Sequence, residues 1–285
     1  MHISHPAFTL PLDLDGKIWQ YMELAEFVSM LHRKALFFVK ANKLRDPYEG
    51  IIPQFNNVLT STIHAKERDR EIEKEKQGPH NPDKFNLVSP SIPQKMIQQF
   101  QLYRDLVLIN PWHYNEYESA AMWNLYSHEN AGIAVQSTTR KLSGSFKDNN
   151  EDTVLIGKVK YLDFSKDWID EWKNDLLQAF VTKRKSFEYE NEIRAVTCLP
   201  PRDEISMSTI AKSDQGKKVF SKKRAINSQE LTDKGKYVRA DLQSLIEKVY
   251  VAPYAESWFE EVVQSLLSKY ELDAVVTKSD LYTVS

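Results

Sequence analysis

Two carboxylates and a guanidinium follow one another in the segment FEYENEIRAV, which contains Glu190, Glu192 and Arg194. Side chains at i and i+2 of a β-strand point to the same face, so a strand would align these three groups with neighbouring Cα atoms about 6.6 Å apart. One carboxylate of such a pair can stabilise a developing positive charge while the other removes a proton. The alternative is a solvated strand face on which Arg194 neutralises one carboxylate, with Lys183 or Arg184 nearby. Like charges on one face are unfavourable without compensation, which favours a functional row facing a polar cleft.

Two further polar residues stand where predicted elements end or begin. His113 follows Trp112 at the end of a predicted strand, and Glu118 precedes a predicted helix. A histidine can move protons near neutral pH, and polar residues at strand ends often line sites. The alternative for Glu118 is a carboxylate that stabilises the start of a helix. Trp112 and Trp123 are predicted to be core residues.

The segment RDPYE (45–49) resembles a helix start more than a metal site. Asp46 suits the N-cap, proline suits the first helical position, and Glu49 is spaced to close a capping box. Arg45 lies just outside this predicted cap and is free for another role. A helix N-terminus there would favour an anion such as a pyrophosphate.

Several classes of site are excluded or weakly supported by composition. The 8 glycines form no phosphate-binding loop, and Cys198 is the only cysteine, which excludes an intramolecular disulfide and a thiolate-based zinc site. No nucleophile motif surrounds a serine or Cys198. The net charge of −2 gives no sign of a nucleic-acid-binding protein. The basic cluster KKVFSKKR (217–224) could contact nucleic acid, although such a loop is more often simply solvated.

Hydrophobic periodicity predicts an α+β fold: a mixed, mostly antiparallel sheet with surrounding helices, in a single domain over 1–285. Residues 62–88 are rich in charge, and we expect an insertion that is helical or disordered. The predicted strands are 17–22, 35–40, 107–110, 132–137, 154–162, 192–199 and two in the tail, KVYVA and DAVVT. The predicted helices begin near Leu24 and cover 93–105, 117–126, 166–184 and two tail segments, DLQSLIEK and ESWFEEVVQSLLSKY.

The N-terminal sequence lacks the basic start and continuous apolar core of a signal peptide. No run of about 18 apolar residues occurs, so we expect no membrane span. These features predict a cytoplasmic protein without a membrane partner.

Several motifs in order resemble the prokaryotic family known as domain of unknown function 2971. They include ALFFVKANKLRDPYEG, ESAAMWNLY followed by the strand GIAVQS, KRKSFEYENEIRAV and YVRADLQSLIEKVYVAP. Together they cover most of residues 17–281. The family is similar to components of mobile bacterial defence loci, which implies a toxin-like or antiviral role.

The order of elements also resembles the ADP-ribosyltransferase superfamily, in which a first-strand residue and a later glutamate hold NAD. The resemblance implies NAD as co-substrate, Glu192 as the catalytic residue with Glu190 as its partner, and Tyr21 as a cofactor contact. The first strand carries Trp19 and Tyr21 where the superfamily usually has Arg or His. The remaining predicted cofactor contacts are Arg45, His113, Glu118 and Arg194.

The acceptor implied by this resemblance is a macromolecule, either nucleic acid or protein. Two alternatives stay open. The first is a metal-assisted nuclease in which Glu190, Glu192 and Asp46 bind a divalent cation. The second is a non-catalytic module whose polar face binds a small ligand or a partner.

Overall fold

The structure is a computed structural model that describes residues 5–51, 53, 101–126, 131–149, 152–167, 169, 176–199 and 230–283. The charged insertion predicted at 62–88 and the basic cluster 217–224 lie outside these residues. So does most of the helix predicted at 93–105, of which 101–105 are helical. No helix in the described ranges is both long and apolar enough to cross a membrane.

The described residues form strands and α-helices that follow the predicted order closely. The strands are β1 (Lys17–Glu23), β2 (Ala35–Lys40), β3 (Val107–Tyr114), β4 (Gly132–Thr138), β5 (Leu155–Lys158), β6 (Lys160–Leu162), β7 (Thr182–Arg184), β8 (Glu192–Cys198), β9 (Gly235–Arg239), β10 (Lys248–Val251) and β11 (Val275–Lys278). The α-helices are α1 (Leu24–Arg33), α2 (Ala120–Tyr126), α3 (Thr139–Gly144), α4 (Leu242–Leu245) and α5 (Ser257–Lys269).

Nine of these strands form one sheet, in the order β11-β10-β4-β1-β3-β2-β9, with β8 on the other edge of β3 and β5 beyond it. Every pairing in this sheet is antiparallel except that of β10 with β11. The short strands β6 and β7 form a separate parallel pair. The prediction of an α+β fold with a mixed, mostly antiparallel sheet is therefore confirmed.

The sheet splits between β1 and β2. Because β8 occupies one edge of β3, both strands lie along the other edge, where β1 pairs at His113 and Tyr114 while β2 pairs at Leu108 and Ile109. Pro111 lies between the two paired stretches. Proline has no backbone N–H, so this position leaves no donor unpaired where the strands diverge.

Asn110 bridges the split with its side chain. Its amide nitrogen donates to the carbonyl oxygen of Phe37 on β2 at 3.0 Å, and its amide oxygen accepts from the indole N–H of Trp112 at 2.6 Å. The bond to Phe37 joins β3 to β2 through a side chain, whereas the bond to Trp112 lies within β3. The Asn110 side chain therefore helps to hold β2 against β3 next to the split.

Two apolar clusters cover opposite faces of β3. The larger packs Phe27 of α1 and Phe259 of α5 with Leu108, while the smaller contains Ile109 and Phe180. Consecutive residues of a strand point to opposite faces, so Leu108 and Ile109 belong to different layers. The sheet is the central layer that both clusters stabilise.

Two predicted elements have wrong bounds, and one strand was not predicted. The strand predicted at 154–162 is two strands, because the Val159 N–H donates to the Glu192 carbonyl of β8 whereas the Lys160 N–H donates to the Val181 carbonyl before β7. The helix predicted at 166–184 is wrong over 176–184, where a 3-10 turn, Leu176–Phe180, precedes β7. The strand β9 (Gly235–Arg239) is absent from the predicted elements.

Candidate functional site

A cavity of about 610 Å³ lies at the split in the sheet. This volume is in the range of small-molecule sites in proteins. Its wall contains consecutive residues of β1, β2 and β3, whose side chains alternate in direction, so the cavity occupies the gap between strands and reaches both faces. The wall includes the predicted site residues Tyr21, His113, Glu190 and Glu192, together with Trp19 and Tyr126.

The register of the sheet aligns residues of four strands, of which β8, β3 and β1 line this cavity. Glu192 on β8 lies opposite His113 on β3, His113 lies opposite Trp19 on β1, and Trp19 lies opposite Gln136 on β4. Tyr21 is two residues beyond Trp19 on the same face of β1. The sequence prediction that Tyr21 and Glu192 share a site thus agrees with where the structure places them.

A buried cluster of charges forms the back of this site. The Lys183 ammonium contacts carboxylate oxygens of Glu190, Glu192 (2.7 Å) and Glu49 (3.3 Å). Arg194 donates from Nε to Glu192 at 2.6 Å and from both terminal nitrogens to Glu49 at 2.7 Å each. All five side chains are buried, and each charge faces an opposite one, which is the condition under which buried ions are tolerated.

The location of Glu190 corrects the sequence prediction. Glu190 is not on the strand but ends the 3-10 helix Lys185–Glu190, and Asn191 then adopts a left-handed conformation with φ of 38° before β8 begins. Glu190 and Glu192 still meet, because both carboxylates turn towards Lys183. The site therefore contains the three predicted groups, Glu190, Glu192 and Arg194, but they do not form the predicted row on one strand face.

The pKa values of the two glutamates move in opposite directions. Burial raises the pKa of Glu190, and its hydrogen bond with the Glu192 carboxylate and the charge of that carboxylate raise it further. Burial would also raise the pKa of Glu192, but the Arg194 guanidinium, the hydrogen bond with Glu190 and the Lys183 ammonium outweigh that effect and lower it. Glu192 is thus the permanently ionised member of the pair, and Glu190 the member that holds a proton.

Tyr21 is fixed from two sides. Its hydroxyl oxygen accepts the Ser119 backbone N–H at 2.9 Å, and its ring packs edge-on against Trp123 with centroids 5.0 Å apart. The Trp123 indole N–H donates to Glu118 at 2.9 Å. Glu118 does not line the cavity. Its contact is with Trp123, which in turn positions Tyr21. Trp112 and Trp123 are both buried, as predicted.

Arg45 and Tyr126 lie together beside the site. The exposed Arg45 guanidinium is 5.0 Å above the ring of Tyr126, and both its terminal nitrogens lie 3.4 Å from the carbonyl oxygen of Leu125. Burial raises the pKa of Tyr126 to about 12, and the charges of Glu190 and Glu192 add to that shift. Sequence reasoning missed Tyr126, although it follows Met122 by one helical turn and both line the cavity.

His113 is buried in the cavity wall with one nitrogen occupied. Its Nδ1 lies 2.6 Å from the backbone carbonyl oxygen of Glu190. A carbonyl oxygen only accepts, so Nδ1 carries the proton. Burial lowers the pKa of His113, which keeps the ring neutral and leaves Nε2 unprotonated. Nε2 has no hydrogen-bond partner among the residues that the structure describes.

The predicted helix start at Asp46 is wrong. Asp46 accepts the Tyr48 N–H at 3.0 Å and forms a turn, but Glu49 binds Arg194 and does not close a capping box. Asp46 itself is held by Arg184, with contacts of 2.7 and 3.2 Å. The carboxylates considered for a divalent cation therefore already face cations of the chain. Among the described residues, no three or more His, Cys, Asp or Glu side chains form a cluster that could hold a metal ion.

Comparison with known proteins gives one family match. The model of the family described as "Protein of unknown function (DUF2971)" matches residues 122–195. That segment contains Tyr126, Lys183, Glu190, Glu192 and Arg194. The resemblance to this family that the sequence motifs indicated is confirmed over that segment. None of the curated proteins matches this chain.

Two solved structures are similar in outline. One is Thermus sp. 2.9 DarT in complex with ADP-ribosylated ssDNA, at 8% identity and a TM-score of 0.35, covering 95% of this chain and 96% of that one. The other is the same protein in complex with NAD+, at 9% identity and a TM-score of 0.34, covering 94% and 98%. At these values the similarity carries no conclusion about the activity of this chain.

Proposed function

We propose that this protein is an NAD-dependent ADP-ribosyltransferase-like enzyme whose site is the cavity at the split in the sheet. The observation that carries this proposal is the placement of Glu190 and Glu192, with opposite pKa shifts, in the wall of one ligand-sized cavity that Tyr21 and His113 also line. A permanently ionised carboxylate next to a carboxylate that holds a proton divides two tasks between two residues.

The ionised Glu192 suits the stabilisation of a cationic sugar. When the bond between ribose C1 and the pyridinium nitrogen of NAD breaks, its electron pair stays with the leaving nicotinamide and positive charge develops on the ribose. A preorganised carboxylate stabilises that charge without moving. Arg194 and Lys183 hold Glu192 in place from behind, so Arg194 acts through Glu192 and not on the cofactor.

Glu190 suits the transfer of a proton. In its ionised form it would take the proton from an acceptor hydroxyl, amine or amide as the acceptor lone pair bonds to ribose C1. A raised pKa brings a carboxyl group closer to neutral pH, where general acid–base catalysis is most efficient. This division of roles gives a balanced reaction in which nicotinamide leaves and the proton of the acceptor passes to Glu190.

The remaining residues suit the nicotinamide riboside and the pyrophosphate of NAD. The Tyr21 ring packs against Trp123 and its hydroxyl is held by Ser119, so it is a rigid aromatic contact for a nicotinamide or ribose. Arg45, for which the described residues supply no carboxylate partner, suits a pyrophosphate. The acceptor would be a nucleic acid or a protein, and NAD consumption in the cell would account for a toxin or antiviral role.

The test is an assay of the purified full-length protein with NAD labelled separately on nicotinamide and on adenosine. Release of labelled nicotinamide, together with retention of the adenosine label on added protein or nucleic acid, supports the proposal. Release without transfer would make the enzyme a hydrolase that uses water as acceptor. Failure to release nicotinamide, combined with nucleic-acid cleavage that EDTA abolishes, would replace the proposal with the metal-assisted nuclease.

A further inference from the structure

The cavity wall contains an unfilled hydrogen-bond acceptor at His113. Its Nε2 has no partner among the described residues, and the side chain is 5% exposed. Buried polar atoms in proteins are nearly always paired, so an unpaired one in a cavity wall calls for an explanation. A ligand group that pairs with Nε2 would supply it.

The backbone determines what kind of group can pair there. The carbonyl oxygen of Glu190 requires a proton on Nδ1, so the neutral ring presents only a lone pair at Nε2. A lone pair binds an N–H or O–H group and repels an anionic oxygen. The neighbouring carboxylate of Glu192 imposes the same preference, because it accepts hydrogen bonds and repels anions.

We infer that His113 is a specificity-determining residue of the cavity, and that its Nε2 accepts a hydrogen bond from a neutral N–H or O–H group of the ligand. This inference rests on the proposed NAD site. Within NAD two groups close to the glycosidic bond have this chemistry, the carboxamide N–H of nicotinamide and a hydroxyl of the adjoining ribose. Nε2 is shielded from solvent, so the cavity wall must shift slightly on binding.

The chain offers two informative substitutions at this position. The side-chain amide of His113→Asn can reproduce the Nδ1–H bond to Glu190 but leaves nothing at the position of Nε2. The longer amide of His113→Gln reaches the position of Nε2, where it can present either an oxygen or an N–H. Comparison of the two separates loss of the acceptor from disturbance of the wall.

The experiment is calorimetric titration of the purified full-length protein with three ligands, after thermal unfolding has shown that each variant is folded. The ligands are NAD, its nicotinic acid analogue, in which a carboxylate replaces the carboxamide, and an analogue that lacks the 2′-hydroxyl of the nicotinamide ribose. Wild type should bind NAD about tenfold or more tightly than the analogue whose donor is missing, since one hydrogen bond to a buried acceptor is lost. The analogue that binds more weakly than NAD identifies the group that donates to Nε2.

His113→Asn should bind NAD and that analogue equally, and His113→Gln should retain tighter binding of NAD than His113→Asn. Equal binding of all three ligands by wild type, or an unchanged preference in His113→Asn, would overturn this inference and leave the proposed function intact. An absence of NAD binding by wild type would overturn both.

Discussion

The Lys183 ammonium lies 2.7 Å from a carboxylate oxygen of Glu192 in a part of the protein that is shielded from solvent. The same ammonium contacts Glu190 and Glu49, so one cation holds three carboxylates together. Burial alone would lower the pKa of Lys183, but the surrounding carboxylates raise it and keep the side chain charged. The geometry of the candidate site therefore depends on a lysine that does not line the cavity.

Replacing Lys183 should be strongly destabilising. Lys183→Met removes the ammonium and leaves buried carboxylates with Arg194 as their remaining cation, so we expect a loss of about 3–5 kcal/mol in the free energy of unfolding. Denaturant unfolding of the purified variant measures it. The matched control is Lys141→Met, which breaks the more exposed pair of Lys141 with Glu247 and should cost less than about 1 kcal/mol. Equal effects of the two substitutions would contradict the importance of the buried cluster.

The raised pKa of Glu190 predicts a specific dependence of stability on pH. A folded-state pKa above the ordinary 4.5 means that the folded protein holds this proton more tightly than the unfolded chain does. The stabilisation is full below the ordinary pKa and is lost as pH rises from there through the raised folded pKa. Glu190→Gln carries no titrating proton, so its stability relative to wild type should improve steadily from about pH 5 to about pH 9.

Denaturant unfolding of both proteins at several pH values in that range checks this prediction. Glu261→Gln, which changes an exposed glutamate of α5, is the control. Its stability should change with pH in the same way as that of wild type. A stability difference between Glu190→Gln and wild type that does not change with pH would show that Glu190 has an ordinary pKa.

Trp123 should be a major contributor to stability. It is 3% exposed and packs against Tyr21, so Trp123→Ala should cost about 3–5 kcal/mol by leaving a cavity. Trp258 on α5 is 59% exposed, and Trp258→Ala should change stability by no more than about 0.5 kcal/mol. Thermal and denaturant unfolding compare the two tryptophans directly. A small effect at Trp123 would mean that Tyr21 is not positioned by it.

Arg45 should affect only ligands that carry phosphate. If its guanidinium binds the pyrophosphate of NAD, Arg45→Ala should weaken NAD binding by about tenfold or more and leave the weak binding of nicotinamide riboside unchanged. Calorimetry with both ligands measures the difference. Arg140→Ala, on the exposed pair with Asp15, provides a control that should bind NAD like wild type. Equal weakening for both ligands would assign Arg45 a purely structural role.

Local pattern was sufficient to predict most elements of the fold. The spacing of Phe27 and Leu31 predicted α1 because a 3.6-residue period is a property of the helix itself, and the apolar runs at β2, β4 and β8 predicted buried strands for a similar reason. The segment 176–184 was assigned wrongly because Leu176 and Phe180 also have helical spacing. There the pairing of β7 with β6 overrides local propensity.

The candidate site was predictable only in part. Glu190 and Glu192 were singled out because paired carboxylates next to a predicted strand are visible in the sequence, and Tyr21 because of the resemblance to ADP-ribosyltransferases. The pairing of Glu49 with Arg194 joins residues 145 positions apart and was not predicted. The local sequence of Glu49 is equally compatible with a capping box. Lys183 was considered only as a nearby compensating charge, and Tyr126 was missed because it sits in a segment with helical spacing and is engaged only by tertiary contacts.

Turnover of NAD by Glu192→Gln tests the central claim most directly. Glutamine keeps the shape of Glu192 and can still accept hydrogen bonds, but it lacks the charge that would stabilise a cationic ribose. With NAD saturating, we expect nicotinamide release to fall by about 10²–10³ while Glu261→Gln keeps the wild-type rate. Because Glu192 also faces Arg194 and Lys183, each protein is first shown to be folded and to bind NAD. Wild-type turnover by a folded Glu192→Gln protein would contradict the assignment of Glu192 as the catalytic residue.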